Sequence, residues 1–340
     1  MKKTLVALAA LAATGAFAQV TITGNLAMGY QQVAGVSTTN GGPGDYSGLG
    51  VDTSEIDFAA TEDLGGGWKV EAKMALAGAD RSNESGTSVK GRNATLTLTT
   101  PVGAVVLGSV KAADYLSGGT AGVGALYYNM AELDGAAGLT AGLFSARSSR
   151  DTLSYVLPMG GFTFGLSHQE GANVQGLGTG AAGTAVAAPA GQRLTAYSVK
   201  YAAGALVADA ALLQFDQSAG AGSAKDEQRL SASYDLGVAK LGAGIQITNY
   251  QGAANAANPK KTQTLVGVNV PMGAASLGLN LGNRKSDDFA VSGSQSGYAL
   301  AVTYNLSKRT AVIGQYSNWE SAVNTPTRTA ATAVLLSHSF

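Results

Sequence analysis

"EIDFAATEDLGGGWKVEAKMAL" (Glu55–Leu76) holds two runs of alternating side chains around a knot of glycines. Before the knot, Ile56 and Phe58 alternate with Glu55 and Asp57. After it, Trp68, Val70, Met74 and Leu76 alternate with Lys69, Glu71 and Lys73. A period of two is that of a β-strand with one apolar and one polar face. "EDLGGG" (Glu62–Gly67) supplies a tight turn between the strands. The stretch reads as a hairpin with its charges on one face. A soluble sandwich would alternate in the same way, so the surroundings must decide.

Working outward, the pattern recurs in "VTITGNLAMGY" (Val20–Tyr30) and "YALAVTYNL" (Tyr298–Leu306). It also closes the chain in "AVLLSHSF" (Ala333–Phe340), where Val334, Leu336, His338 and Phe340 share a face. Short turns follow at Thr100–Gly103, Pro158–Gly161, Ala202–Ala205, Asp235–Val238, Pro271–Ala274 and Leu306–Arg309. Between them lie longer stretches rich in Gly, Ala, Ser and Asn: Gly35–Gly50, Gly171–Gln192, Gly252–Lys261 and Ser321–Thr329. Short connections alternating with long ones are the habit of outer-membrane barrels, with periplasmic turns and extracellular loops. The turns imply an all-β, transmembrane antiparallel β-barrel of about 16 strands. In such a barrel the last strand pairs with the first, so a terminal Phe340 is held in the wall.

Composition agrees. Gly supplies 47 of 340 residues, Pro only 7, and charged residues only 13 %, which suits neither long helices nor an ordinary soluble surface. No stretch after residue 19 is apolar enough for a spanning helix. Twenty-two basic residues balance 22 acidic ones, so nothing in the charge favours nucleic acid. Cys is absent, which excludes disulfides, thiolate metal sites and Cys nucleophiles. The start, "MKKTLVALAALAATGAFAQ", has two lysines, an apolar run and Ala16-Phe17-Ala18. That is the layout of a secretory leader cleaved after Ala18. The expected organisation is a signal peptide over 1–18 and a barrel over 19–340.

Tyr201, Tyr234 and Tyr304 fall on apolar faces close to short turns, where a periplasmic aromatic girdle would lie. The longest connection runs from Lys111 to about Arg150 and carries Tyr115, Leu126, Tyr127, Tyr128, Met130, Leu143 and Phe144. Its apolar content predicts that it packs on something. "GTGAAG" (Gly178–Gly183) matches a dinucleotide fingerprint, but it lies in a Gly/Ala loop without the strand and helix that motif requires. His168 and His338 are far apart and lack further ligands at metal spacing. No enzyme motif is present, and no cofactor or metal is expected.

Five blocks in order resemble the trimeric general porins of Gram-negative bacteria, β-proteobacterial type. They are "TEDLGGGWKVEAKMAL", "GRNATLTLTTPVGAVVLGS", "LSYVLPMGGFTFGLSH", "VTYNLSKRTAVIGQYS" and "LLSHSF". The resemblance implies a homotrimer in the outer membrane, with the third loop folded into each pore and small hydrophilic solutes and ions diffusing through. It also implies that Phe340, with His338, is a signal read by the outer-membrane assembly machinery. Basic wall residues would face carboxylates on the third loop. Arg92 matches the family's fourth-strand Arg, and Arg150 or Arg147 the one before the sixth strand. A third family Arg is replaced: this chain reads "SEIDF", with Glu55 at that position and Asp57 two residues on. The resulting constriction would set Arg92, Arg147, Arg150 and Lys73 against Glu55, Asp57, Glu71, Asp114, Glu132 and Asp134. Strict alternation with Ala94, Leu96 and Leu98 would aim Arg92 at lipid, at a cost of about 2–4 kcal/mol at mid-depth. A bulge at Gly91, a rim position or a subunit contact would resolve the conflict. The rival functions are a solute-specific channel, for sugars or organic anions, and a structural or adhesive barrel.

Overall fold

The computed structural model describes residues 19–35, 44–77, 90–111, 116, 120, 149–171, 193–216, 220–252, 259–287, 292–320 and 328–340. The first eight strands are β1 (Gln19–Ala34), β2 (Tyr46–Gly65), β3 (Trp68–Ala77), β4 (Lys90–Thr100), β5 (Gly103–Lys111), β6 (Ser149–Met159), β7 (Phe162–Gly171) and β8 (Leu194–Ala203). The second eight are β9 (Leu206–Phe215), β10 (Ala224–Asp235), β11 (Lys240–Tyr250), β12 (Lys260–Met272), β13 (Ala275–Asp287), β14 (Ser292–Asn305), β15 (Thr310–Glu320) and β16 (Arg328–Ser339). Each pairs with its neighbours in sequence, and β16 returns to β1 to close the barrel. Closure removes every sheet edge, which lets a strand structure sit in hydrocarbon.

The seam runs from Asn25 opposite Ser339 to Ala34 opposite Ala330, antiparallel throughout. Phe340 extends it: its N–H donates to the Gly24 carbonyl and its carbonyl accepts from the Gly24 N–H, both at 3.0 Å. A side chain at position 24 would collide with the Phe340 ring. The C-terminal residue is thus part of the wall.

All seven short turns fall where the sequence places them. The β2–β3 turn shows why it needs its glycines: Gly65, Gly66 and Gly67 have φ of 80°, 62° and 83°, a region costly to other residues. Two details differ from expectation. β2 begins at Tyr46, inside the stretch read as a loop to Gly50, because "YSGLGVDTS" is polar and glycine-rich and hides its alternation. It also carries an extra residue, Asp52, between Val51 opposite Met28 and Thr53 opposite Ala27. The alternation of short and long connections is also not strict, since 288–291 alone separates β13 from β14.

The outward face is apolar: Ile22, Leu96, Leu166, Val266, Leu300 and Leu336 are all exposed around the barrel. Tyr234 and Tyr304 stand on that face beside the periplasmic turns, and Tyr201 packs on Phe162 with ring centroids 4.8 Å apart. This is an aromatic girdle. On the inside, Leu116, from the connection between β5 and β6, is 2 % exposed and clusters with Leu265, Ala299, Trp319, Ala331 and Leu335. Its Cδ2 occupies the space above Gly244, where an added Cβ would lie 2.8 Å away. Thr120 closes one turn behind it, its hydroxyl donating to the Leu116 carbonyl at 2.8 Å. The long connection therefore enters the barrel at Leu116.

Candidate functional site: the lumen wall

The inward faces of β2, β3 and β4 carry five of the ten expected charges. Thr23, Asp57 and Ala75 lie in one cross-strand row. Glu55 lies two residues on from Asp57, and Glu71 and Lys73 are opposite Thr97 and Thr95. Arg92 joins them because β4 is bulged: Met74 pairs with Ala94 but Leu76 pairs with Gly91, so Arg92 and Asn93 together oppose Ala75. The extra residue reverses the parity and turns the guanidinium inward. There Arg92 Nη1 meets Glu55 Oε2 at 2.6 Å. Of the three resolutions left open by the sequence, a bulge is present, at Arg92–Asn93 and not at Gly91, which pairs with Leu76. Lys73 Nζ reaches Glu71 Oε1 at 2.8 Å on the same strand, with the lysine largely exposed.

The far side of the lumen is built differently. Arg229 on β10, Gln246 on β11, Gln263 on β12, Arg284 on β13 and Gln295 on β14 are consecutive cross-strand partners. They form one row of donor-rich side chains. Beside it, Glu227 is 5 % exposed. Arg229 contacts Glu227 Oε1 at 2.5 Å through Nη2. Gln246 Nε2 and Thr248 Oγ1 donate to Glu227 Oε2 at 3.0 and 2.7 Å. Gln246 also donates to Gln263 at 3.2 Å, and Arg284 to Gln295 at 3.3 Å. Arg150 faces the lumen from β6, opposite Val110 and Gly171.

Glu227, Arg229, Lys261 and Arg284 are additions that the sequence reading missed. The signal for Glu227 and Arg229 was available in "DEQRLSAS", where Glu227, Arg229, Ser231 and Ser233 alternate with Gln228, Leu230 and Ala232. Arg147, Asp114, Glu132 and Asp134 lie outside the described residues. His338 stands on the outer face near the seam, its Nδ1 2.9 Å from the Thr310 hydroxyl. His168 is likewise outward, 3.5 Å from Glu170, which also holds Arg193 at 3.0 Å. Neither histidine belongs to the lumen.

A closed sixteen-stranded wall with an apolar exterior and a charged interior is a water-filled passage. The Gram-negative porin family profile matches residues 4–321. The chain belongs to that family. It is an outer-membrane channel and not an enzyme. Outer membrane porin protein 32 of Delftia acidovorans is 34 % identical over 331 residues, covering 92 % of this chain and 88 % of that porin. Among solved structures, an anion-selective porin from Comamonas acidovorans superposes with a TM-score of 0.68 at 21 % identity, over 95 % of this chain and all of that one. OmpT of Vibrio cholerae, solved in a trimer form, gives 0.64 at 13 % identity over 95 % of this chain and 99 % of that one. These structural likenesses support the porin fold.

Proposed function

We propose that this porin is a general diffusion channel for small hydrophilic solutes, with a preference for anions. It works as a homotrimer after a leader over residues 1–18 is removed. The observation that carries the preference is the charge on the far wall. On β10–β13, above the turns, the described inward charges are Arg229, Lys261 and Arg284 against Glu227 alone. On the near wall Arg92 and Lys73 are offset by Glu55, Glu71 and Asp57. An anion crossing the narrowed lumen exchanges hydration for the guanidinium and ammonium groups on one side, while a cation finds less to replace its water. Apolar solutes gain nothing from either wall. The anion selectivity named for the Comamonas porin points in the same direction.

Arg92, Arg147, Arg150, Lys73, Glu55, Asp57, Glu71, Asp114, Glu132 and Asp134 are proposed as the charges of the constriction. Phe340 and His338 are proposed as the assembly signal. Conductance of the purified protein in planar bilayers tests this reading. Insertion events that close in three equal steps, with chloride carrying more current than potassium, are the expected result. A barrel that inserts without conducting would instead be structural. Saturation by one sugar would mark a specific channel.

A further inference from the structure

The outer wall is indented near its periplasmic end, over β10–β13. Ala208 on β9, Ala232 on β10 and Ala243 on β11 are consecutive cross-strand partners. They share the outward parity of the exposed Leu230, Tyr234 and Leu241. The neighbouring outward rows are bulky: Leu206, Tyr234, Leu241 and Val268 on the side of the turns, Leu230 and Ile245 on the other. Three methyl groups between two ridges make a trough that runs across the strands. Over Ala232 and Ala243 it deepens into a hollow of about 400 Å³, its floor completed by Gly242 and Gly267. Among the described residues no charged side chain lines it. An apolar cavity of about 150 Å³ already takes benzene, so this one has room for a run of methylenes.

The apolar band around the barrel is its interface with lipid, and the hollow is continuous with that band through the half-exposed Val266 and Leu281. Tyr234, in the periplasmic girdle, stands at its lip, so the hollow opens to the leaflet on the turn side. In hydrocarbon, filling it brings no hydrophobic gain. What it brings is dispersion contact, which an unfilled space forfeits. A slender, flexible occupant recovers that contact. Another barrel would meet this convex wall along its ridges, and a stable protein contact needs about 800 Å² from each partner rather than one trough. We propose that the hollow is a binding site for one acyl chain of a glycerophospholipid in the periplasmic leaflet. The bound chain stays longer there than chains along the smoother parts of the wall. The site lies on the outer face, so it is independent of which solutes the lumen passes.

The test uses the full-length protein refolded in vesicles of phosphatidylethanolamine and phosphatidylglycerol. A fraction of the phosphatidylethanolamine carries a diazirine at mid-chain, and photolysis attaches that chain where it rests. Peptide mapping then reads the ratio of label at Val266 and Val268, in the hollow, to label at Leu166 on the outward face of β7. Ala232→Leu with Ala243→Leu fills the hollow and leaves both reading points unaltered. The ratio should fall by about threefold, the effect of losing a few packing contacts. An unchanged ratio overturns the proposal. Should the double variant fail to give a folded barrel, Ala243→Val decides: the ratio falls, and an undiminished one again overturns the proposal. The chain has no cysteine, so Ala243→Cys separates the rival occupant. With an acyl chain in the hollow, oxidation gives no intermolecular disulfide. Disulfide-linked pairs would put a second copy there and overturn the proposal.

Discussion

The two walls of the lumen use the same residue types to opposite ends. On β2–β4 the carboxylates are more open to water: Lys73 is 57 % exposed against a Glu71 that is 27 % exposed, and Arg92 meets a Glu55 that is 20 % exposed. On β10–β13 the carboxylate is buried, Arg229, Gln246 and Thr248 hold it from neighbouring positions in the sheet, and Gln246 carries the network on to Gln263 of a third strand. Exposed pairs are weak, because water and salt screen them and long side chains lose freedom to form them. Buried pairs are expensive to break, because the remaining charge is left without water. The near wall can therefore vary at little cost, whereas the far wall is a fixed lattice on which the arginines are mounted.

The largest effect expected from this contrast is at Gln246. Gln246→Leu removes a donor from Glu227 and another from Gln263 inside the buried row. It should cost about 2–4 kcal/mol of barrel stability, measured by urea unfolding in lipid vesicles. A loss near zero would mean that the row is not a cooperative network. The smallest effect is at Lys73. Lys73→Gln should change stability by less than about 0.5 kcal/mol in the same assay, and a loss comparable with that of Gln246→Leu would erase the distinction between the walls.

The sequence made the architecture legible because alternation and glycine turns are local signals. Each turn from "EDLGGG" onward and the outward position of Phe340 could be read from a few neighbouring residues. Arg92 shows where such reading stops. Its direction depends on one extra residue opposite Ala75, and the parity conflict in "GRNATLTL" raised a bulge as one of three resolutions without fixing its position. Glu227 and Arg229 lay on a readable inward face, but their pairing with Gln246, Thr248 and Gln263 is set by register across β10–β12, which no single segment reveals. Four of the proposed constriction charges, Asp114, Glu132, Asp134 and Arg147, belong to the long connection, outside the described residues.

The central claim is that selectivity is held by the far wall. The most direct measurement compares reversal potentials in a potassium chloride gradient for two double variants. Glu55→Gln with Arg92→Gln deletes a matched pair, and Arg229→Gln with Arg284→Gln deletes two positive charges of the far wall. The first should leave the anion preference of the wild type unchanged, and the second should move the reversal potential clearly toward that of a cation-permeable pore. An equal shift in both, or a shift only in the first, would contradict the account.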